Sequence, residues 1–564
     1  MPPTRKAGTR RVVVVTGGGA GIGAAVAEEL GRNGDVVVTV DPLVTLDGTE
    51  RLSTTGETTA DRIVAAGGSA RASSVSVTDA VGVRDLFGGL VEEFGRLDAV
   101  VNVAGITRPT TFASGSEEDW LGVLSVHLDG YLNVLRAALP IMAAAGHGRI
   151  LGVTSGSGWR AADTGAYGCA KRAVAALTWQ LGPLTPPGVV VNAVSPIAVT
   201  RMVTAALERT RAASGGPRGS ASGGLSLGSM PDPEELGPLG AHLVSDGFSW
   251  CRGQVIFAGG SEIAVVDPPR LIEVVRNDRV PSLALLLDAV VPKAFGAAEA
   301  EQASVGGSNP RFGSIFDEPI GTELLPSEGG SCAVVSDRPE LAAGVTHALS
   351  ARGVRPHVVA VDDPPPTFSG SVAALRATAE STGPLDAVVV ALSSGASSGV
   401  AASSWERVLD EHAGIVGHIR TDAAWARAVA DHAADTGRPM RLVTLVDASD
   451  SEGRSRSQAA AQHSRAAHKG TQEQVAAYTV SLEEGPEATP VGELVAHLLC
   501  SPDATALSGA ELVAGPGWFG LRRHPRPAGA VSFGGPTLPD WLDDTLRQIL
   551  GAPPVHGLAD GPHR

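Results

Sequence analysis

The segment FGRLDAVVNVAG at residues 94–105 has a counterpart in TGPLDAVVVALS at 382–393. Other features repeat around it in the same order. Trp120 and His127 stand seven positions apart, as do Trp405 and His412, and AHLVSDGFSWCRGQVIFAGG at 241–260 parallels AHLLCSPDATALSGAELVAGPG at 496–517. Recurrence over so long a stretch implies that one structural plan is used twice. The length of 564 residues agrees, because single cores stop growing at roughly 250–300 residues. The first copy shows what the plan is. Runs such as RVVVVTGG, DVVVTVD, LDAVVNVAG, RILGVTS, GVVVNAVSP and GQVIFAGG alternate with helical patterns such as AAVAEELGRNG and VRDLFGGLVEEFG. Short apolar runs without polar alternation are strands buried on both faces, so the expectation is α/β: two tandem, doubly wound parallel sheets.

The pattern divides the chain into a first unit at 1–265, a connector at 266–330, a second unit at 331–520 and a Pro/Gly-rich tail at 521–564. The connector opens with DPPRLIEVVRNDRVPSLALLLDAVVPKAF, which reads as helical. The tail carries one short amphipathic helix in LPDWLDDTLRQIL, and residues 211–230 read as a loop inside the first unit.

Composition closes several routes. A net charge of −16, with basic residues clustered only in TRKAGTRR at the start, disfavours nucleic acid and anionic membrane as partners. No apolar run reaches membrane-spanning length, and no signal-type segment opens the sequence. Cys169, Cys251, Cys332 and Cys500 are too dispersed for a disulfide framework or a metal cluster. A reducing, cytoplasmic setting without a bound metal is the expectation.

The chemistry concentrates in the first unit. VVVVTGGGAGIGAAVAEEL is a strand, a glycine turn and a helix start. Gly17, Gly21 and Gly23 let the backbone approach a pyrophosphate seated on the helix N-terminus, in the manner of a Rossmann-like dinucleotide fold. Asp41 ends the next strand, where a carboxylate accepts from ribose hydroxyls and repels a 2′-phosphate. NAD(H) is therefore favoured over NADP(H), which stays possible. The chain has three tyrosines and four lysines, and AYGCAKRAV places Tyr167 and Lys171 four apart, on one helix face. A free phenol is a poor base at neutral pH, and a nearby ammonium should lower its pKa. Tyr167 could then exchange a proton with a carbinol oxygen that Ser155, at the end of RILGVTS, holds by a hydrogen bond. A nucleotide site, an acid/base and an orienting hydroxyl together spell hydride transfer.

TGGGAGIG, NVAG at 102–105, Ser155 and YGCAK resemble the short-chain dehydrogenase/reductase family over about residues 10–265. The resemblance implies that Ser155, Tyr167 and Lys171 are catalytic. It implies cofactor contacts at Thr16, Gly17, Gly21, Ile22, Gly23, Asp41, Asn102, Ala104, Gly105 and Thr200, besides Tyr167 and Lys171. Three departures stand out. His127 in SVHLDG occupies the place of the family's usual relay asparagine, SSVSVTD lacks the usual acidic adenine contact, and SPIAVTRM replaces the usual Pro-Gly. His127, the long insert after Asp41 and the PxxxTRM pattern resemble the hydroxyacyl-CoA dehydrogenase module of multifunctional enzyme type 2 and 3-oxoacyl reductases. That implies a 3-hydroxyacyl/3-oxoacyl thioester on CoA or acyl carrier protein, with His127 in a relay or orienting role. A cyclic ketone, steroid or quinone is the alternative substrate; a non-catalytic scaffold is the alternative of another class.

The second unit has VVSDRPELAAGV where the first has its glycine turn, and Asp447 where the first has Ser155. AAAQHSRAAHKG offers only His463, His468 and Lys469, which read as a solvated helix face. The second unit resembles a degenerate, non-catalytic copy of the same fold. By family analogy it would supply the partner surface that such enzymes otherwise find in another subunit. Two chains would then pair as a homodimer that mimics a tetramer of single units.

Overall fold

The computed structural model describes residues 10–53, 56–205, 230–278, 280, 282–304, 330–361, 367–394, 403–535 and 537–551. The basic start and the loop at 211–229 lie outside them.

The first sheet has nine strands. They are β1 (Val12–Thr16), β2 (Val36–Val40), β3 (Ser69–Ser73), β4 (Ala99–Asn102), β5 (Gly148–Val153), β6 (Val189–Pro196), β7 (Val255–Gly259), β8 (Glu262–Asp267) and, from the far end of the chain, β17 (Arg526–Ser532). Their order is β17-β8-β7-β6-β5-β4-β1-β2-β3. Only β8 and β17 run antiparallel to their neighbours. Helices α1 (Gly21–Arg32), α2 (Thr59–Ala65), α3 (Ala80–Phe94), α4 (Glu117–Leu124), α5 (Gly130–Ala145), α6 (Gly165–Leu181) and α7 (Gly237–Leu243) connect them. The valines of β1 and β2 are almost wholly buried, as two-faced burial of a parallel strand requires.

The second sheet has eight strands in the order β11-β10-β12-β13-β14-β15-β16-β9. These are β9 (Leu271–Arg276), β10 (Ser331–Ser336), β11 (Arg355–Val359), β12 (Ala387–Ala391), β13 (Met440–Asp447), β14 (Val475–Leu482), β15 (Glu511–Gly515) and β16 (Trp518–Arg522). The helices that follow α7 are α8 (Ala297–Ser304), α9 (Pro339–Ala351), α10 (Phe368–Thr382), α11 (Ser404–Glu411), α12 (Ile415–Thr436), α13 (Ser451–Gly470), α14 (Ala488–Cys500) and α15 (Leu542–Leu550). The two sheets match strand for strand, except that no counterpart of β3 occurs among the described residues.

The connector is not helical throughout. LIEVVR forms β9, an outer strand paired with β16, and helical structure begins only at Leu283. Likewise RPAGAVS in the tail forms β17, paired with β8. β9 and β17 hold the same place in the two sheets, yet each joins the sheet of the other half. The crossings meet: Arg523 N–H donates to the Arg270 carbonyl at 2.9 Å, and its guanidinium pairs with Asp267. Pro527 and Gly529 are admissible in β17 because it is an edge strand, bulged between Ala528 and Ala530.

The halves also share a core. Trp120, Leu128, Cys169 and Ala173 belong to one apolar cluster with Trp405, Leu409, Ile419 and Ala459. At its centre α6 packs on α13. Despite its polar composition, α13 is not a solvated face: Ser455, Arg456, Gln458, Gln462 and His463 are all buried. Its alanines and serines admit close approach, and its polar groups bond across the interface. Gln180 Nε2 donates to the Ser451 carbonyl and Ser455 Oγ, and Gln462 Nε2 to the Arg160 carbonyl at 2.7 Å.

His463 lies between Phe112, at 4.6 Å between ring centroids, and Trp120, at 5.2 Å. It is therefore a packing residue rather than a ligand. Neither ring nitrogen has a partner among the described residues, and burial pushes its pKa down to about 3. A depressed pKa means that the unfolded state takes up the proton first. Stability is thus complete above the ordinary value of about 6.5 and falls as pH drops towards 3, by up to about 1.4 kcal/mol per pH unit. His463→Leu should flatten the melting temperature against pH between 6.5 and 4, as followed by circular dichroism; an unchanged slope would show that other groups set it.

Candidate active site

The site lies at the carboxyl ends of β1, β4, β5 and β6, where an open α/β sheet receives ligands. Its floor is the turn from β1 into α1. Gly17 has φ +65°, and a Cβ there would stand 2.7 Å from the Ala104 nitrogen. A Cβ on Gly23 would stand 2.2 Å from the Gly17 carbonyl oxygen. These positions admit only glycine, so the turn lies flat and open above. Helix α1 has no side-chain cap and no acidic residue in its first turn, which leaves its N–H groups for an anion. Thr200 stands over Gly21, with its methyl 3.7 Å from where a Cβ would be. Ile22 packs on the core beneath.

Thr16 and Asn102 are turned towards each other. Thr16 Oγ1 donates to Asn102 Oδ1 at 2.8 Å and accepts from Ala104 N–H at 3.3 Å. They lock the end of β1 to the turn after β4. Asp41 accepts from the N–H groups of Gly19, at 3.0 Å, and Leu43, at 2.8 Å. Its carboxylate is thereby fixed at the mouth of a cleft lined also by Leu43, Leu52, Glu57, Ala72 and Ser73. The residues suit a dinucleotide: a glycine floor without Cβ atoms, free helix N–H groups, and a fixed carboxylate where a ribose would lie. Sequence reasoning missed Glu57, because it comes from the insert after Asp41 and only the fold brings it to the cleft.

Ser155, Tyr167 and Lys171 meet on the next strand end. Ser155 Oγ accepts from Ser157 N–H at 3.2 Å, and its hydroxyl lowers the pKa of the Tyr167 phenol. Lys171 Nζ donates to the Val153 carbonyl at 2.6 Å and lies 5.7 Å from the Tyr167 ring centre. The expected lowering of the phenol pKa by lysine is not the dominant effect here. Burial raises the Tyr167 pKa, and the Ser155 hydroxyl offsets only part of that. Burial also brings Lys171 down to about 7. Burial disfavours the charged form of both groups.

His127 sits in a short π-helical turn, Ser125–Asp129, between α4 and α5. Its Nε2 lies 2.7 Å from the Ile106 carbonyl oxygen, and its ring meets the Tyr167 ring edge-on at 5.1 Å. Burial, and then the nearby Lys171, hold its pKa well below the ordinary value, so the ring is neutral. The Ile106 N–H also lies within reach of Nε2, at 3.2 Å, so Nε2 bonds to the Ile106 backbone in either tautomer, while Nδ1 has no partner among the described residues. Gly105 makes this possible, since a Cβ there would stand 2.4 Å from His127 Cε1.

Among the described residues, charged side chains take up the matching edge of the second sheet. Arg338, at the start of α9, pairs with Asp447 at 3.3 Å. Asp337 accepts from the N–H and hydroxyl of Ser393. The first turn of α13 closes onto the strand end: a Cβ on Gly453 would stand 1.8 Å from the Asp447 carbonyl oxygen. No tyrosine stands there. Among the described residues no group of His, Cys, Asp and Glu could hold a metal, and no helix is long and apolar enough to cross a membrane.

Residues 11–212 match the family model for short chain dehydrogenase. The chain is similar to the short-chain reductase protein NovJ of Streptomyces niveus, with 34% identity over 255 residues, or 44% of this chain and 92% of that one. It is 34% identical over 194 residues to the peroxisomal hydratase-dehydrogenase-epimerase of Saccharomyces cerevisiae, covering 34% of this chain and 21% of that one. The N-domain of a bacterial malonyl-CoA reductase, solved with NADP, covers 90% of this chain at a TM-score of 0.61 and 18% identity, so the two-sheet architecture is shared beyond sequence likeness. With the glycine turn, the Ser155–Tyr167–Lys171 group and these likenesses together, the chain belongs to the short-chain dehydrogenase/reductase family of nicotinamide-dependent oxidoreductases.

Proposed function

We propose that the chain interconverts a 3-hydroxyacyl and a 3-oxoacyl thioester, carried on CoA or an acyl carrier protein, with NAD(H). The observation that carries this is the meeting of Ser155, Tyr167 and Lys171 beside a neutral, carbonyl-anchored His127. When bound, the nicotinamide cofactor donates or accepts the hydride. Ser155 Oγ hydrogen-bonds the substrate oxygen and orients its carbon. Tyr167 gives a proton to that oxygen on reduction and takes it on oxidation. Lys171, next to the phenol, steadies the charge that develops on it. His127 packs on the ring and fixes its tilt. The likeness to the hydratase-dehydrogenase-epimerase supports the substrate class. A panel of 3-oxoacyl thioesters and cyclic ketones, run with NADH and NADPH in both directions, tests it; turnover of ketones alone would replace the substrate.

The cofactor preference rests on Asp41, with Glu57 lining the same cleft. Two carboxylates there oppose a 2′-phosphate. Asp41→Ala combined with Leu43→Arg should move the NADH/NADPH ratio of kcat/KM towards NADPH by about tenfold or more. A wild type that already prefers NADPH would overturn this reading.

The filled edge of the second sheet implies one nicotinamide site per chain. Calorimetric titration with NADH should give one equivalent, and Gly17→Val should abolish it. A second equivalent would show that the Arg338–Asp447 pair opens.

A further inference from the structure

We propose that Glu511, in the half without a site, is a positioning residue for the proton-transfer group of the other half, acting through Arg172. This rests on the role given above to Tyr167 and Ser155. Arg172 follows Lys171 in α6, and its side chain is wholly buried. Its guanidinium joins three segments. Nη1 donates to the Gly158 carbonyl at 3.4 Å, Nε to Gln458 Oε1 at 2.8 Å, and Nη2 to Glu511 Oε1. Gly158 ends the turn that begins at Ser155. That turn lies hard on α6, since a Cβ on Gly158 would stand 2.8 Å from the Arg172 nitrogen. One side chain thus sets the spacing between the segment bearing Ser155 and the helix bearing Tyr167 and Lys171.

Glu511 is what holds that side chain in place. Its second oxygen accepts from Gln458 Nε2 at 2.9 Å, and its first faces His524 Nδ1 at 3.2 Å. His524 Nε2 in turn faces Glu299 of α8 at 2.8 Å. The result is a buried alternation of charge, Arg172–Glu511–His524–Glu299, that starts in the catalytic helix and ends in the connector. The loop between Ser155 and Tyr167 is also held from the second half. Arg465 donates to the Trp159 carbonyl at 3.0 Å and Gln462 to that of Arg160. A surface that served only to cover an apolar face would not need a buried ion pair. This one fixes the two backbone segments that carry Ser155 and Tyr167.

The test is Glu511→Gln in the full chain, assayed with acetoacetyl-CoA and NADH, with NADH binding followed by fluorescence. The expected result is a kcat about ten- to hundredfold lower with NADH affinity nearly unchanged. A second readout needs no substrate. The chain has only Tyr131, Tyr167 and Tyr478, so phenolate difference absorbance with Tyr167→Phe as the blank isolates Tyr167. Moving Ser155 away from the phenol should move its midpoint upwards. A Glu511→Gln chain with wild-type kcat and wild-type Tyr167 midpoint would overturn the proposal. If Glu511→Gln does not fold, the pair Arg172→Met with Glu511→Leu removes both charges together and is read by the same two measurements, with the same outcomes. Tyr167→Phe run alongside separates the two readings: if it is fully active, the site assignment fails, whereas if only it is inactive, the Glu511 proposal fails.

Discussion

Tyr167→Phe should bind NADH as the wild type does and turn over at least about a hundredfold more slowly, within the usual range of 10²–10⁴ for a lost general acid/base. The ring would keep its edge-on contact with His127 at 5.1 Å, so the pocket keeps its shape. What goes is the hydroxyl, the proton-transfer group itself. Affinity should hold because the glycine turn, the α1 N-terminus and Asp41 are untouched. Stopped-flow mixing with NADH and a 3-oxoacyl thioester separates binding from chemistry. A variant that retained more than about a tenth of wild-type turnover would remove Tyr167 from the proton-transfer role, and His127 would be the next residue to test.

The second large effect is expected from dividing the chain. Residues 1–265 made alone should be insoluble or inactive. They would lack β17, leaving β8 as a bare edge, and α15, whose Leu542 and Leu546 are buried against the first half. They would also uncover the α4–α6 face, where Trp120, Leu128 and Ala173 share a cluster with the second half. Burial of a large apolar side chain is worth about 1.5–3 kcal/mol. Uncovering a handful of them removes an ordinary stability margin of about 5–15 kcal/mol. Polar groups on α6 lose partners as well, since Arg172 and Gln180 bond to residues beyond 450. Expression yield, a circular dichroism melt and NADH turnover check this. A soluble, fully active fragment would show that the second half is a separable module.

The sequence was informative wherever a residue's role is local. Val runs marked β1, β2 and β4–β7, because two-faced burial demands apolar residues at every position. The glycine turn and the Tyr167–Lys171 spacing were legible because backbone clearance and helical period act over a few residues. β3, with its SARAS sequence, was not, because an outer strand with polar surroundings carries no apolar run. β9 and β17 were misread for a related reason. Each lies beside a strand distant in sequence, and Pro and Gly in β17 argue for a loop unless the edge position is known. The sequence of α13 reads as a solvated face because its buried groups are polar, and the partners that satisfy them lie on α6 and in the loop before it. The His127 anchor depends on a one-residue wide turn and on the bare Cα of Gly105, which no pattern of residue types records.

The exchange of β9 and β17 has a consequence for how such a chain can change over generations. In a simple fusion of two copies, the idle copy is free to decay, shorten or be cut away. Here each sheet takes its outermost strand from beyond the other, so a deletion of the tail that carries β17 injures the first sheet. Substitutions in β17, far in sequence from the sheet it completes, act on the edge of that sheet. The second half has neither the glycine turn nor a matching tyrosine, yet the chain cannot be cut after the first sheet without taking β17 from it.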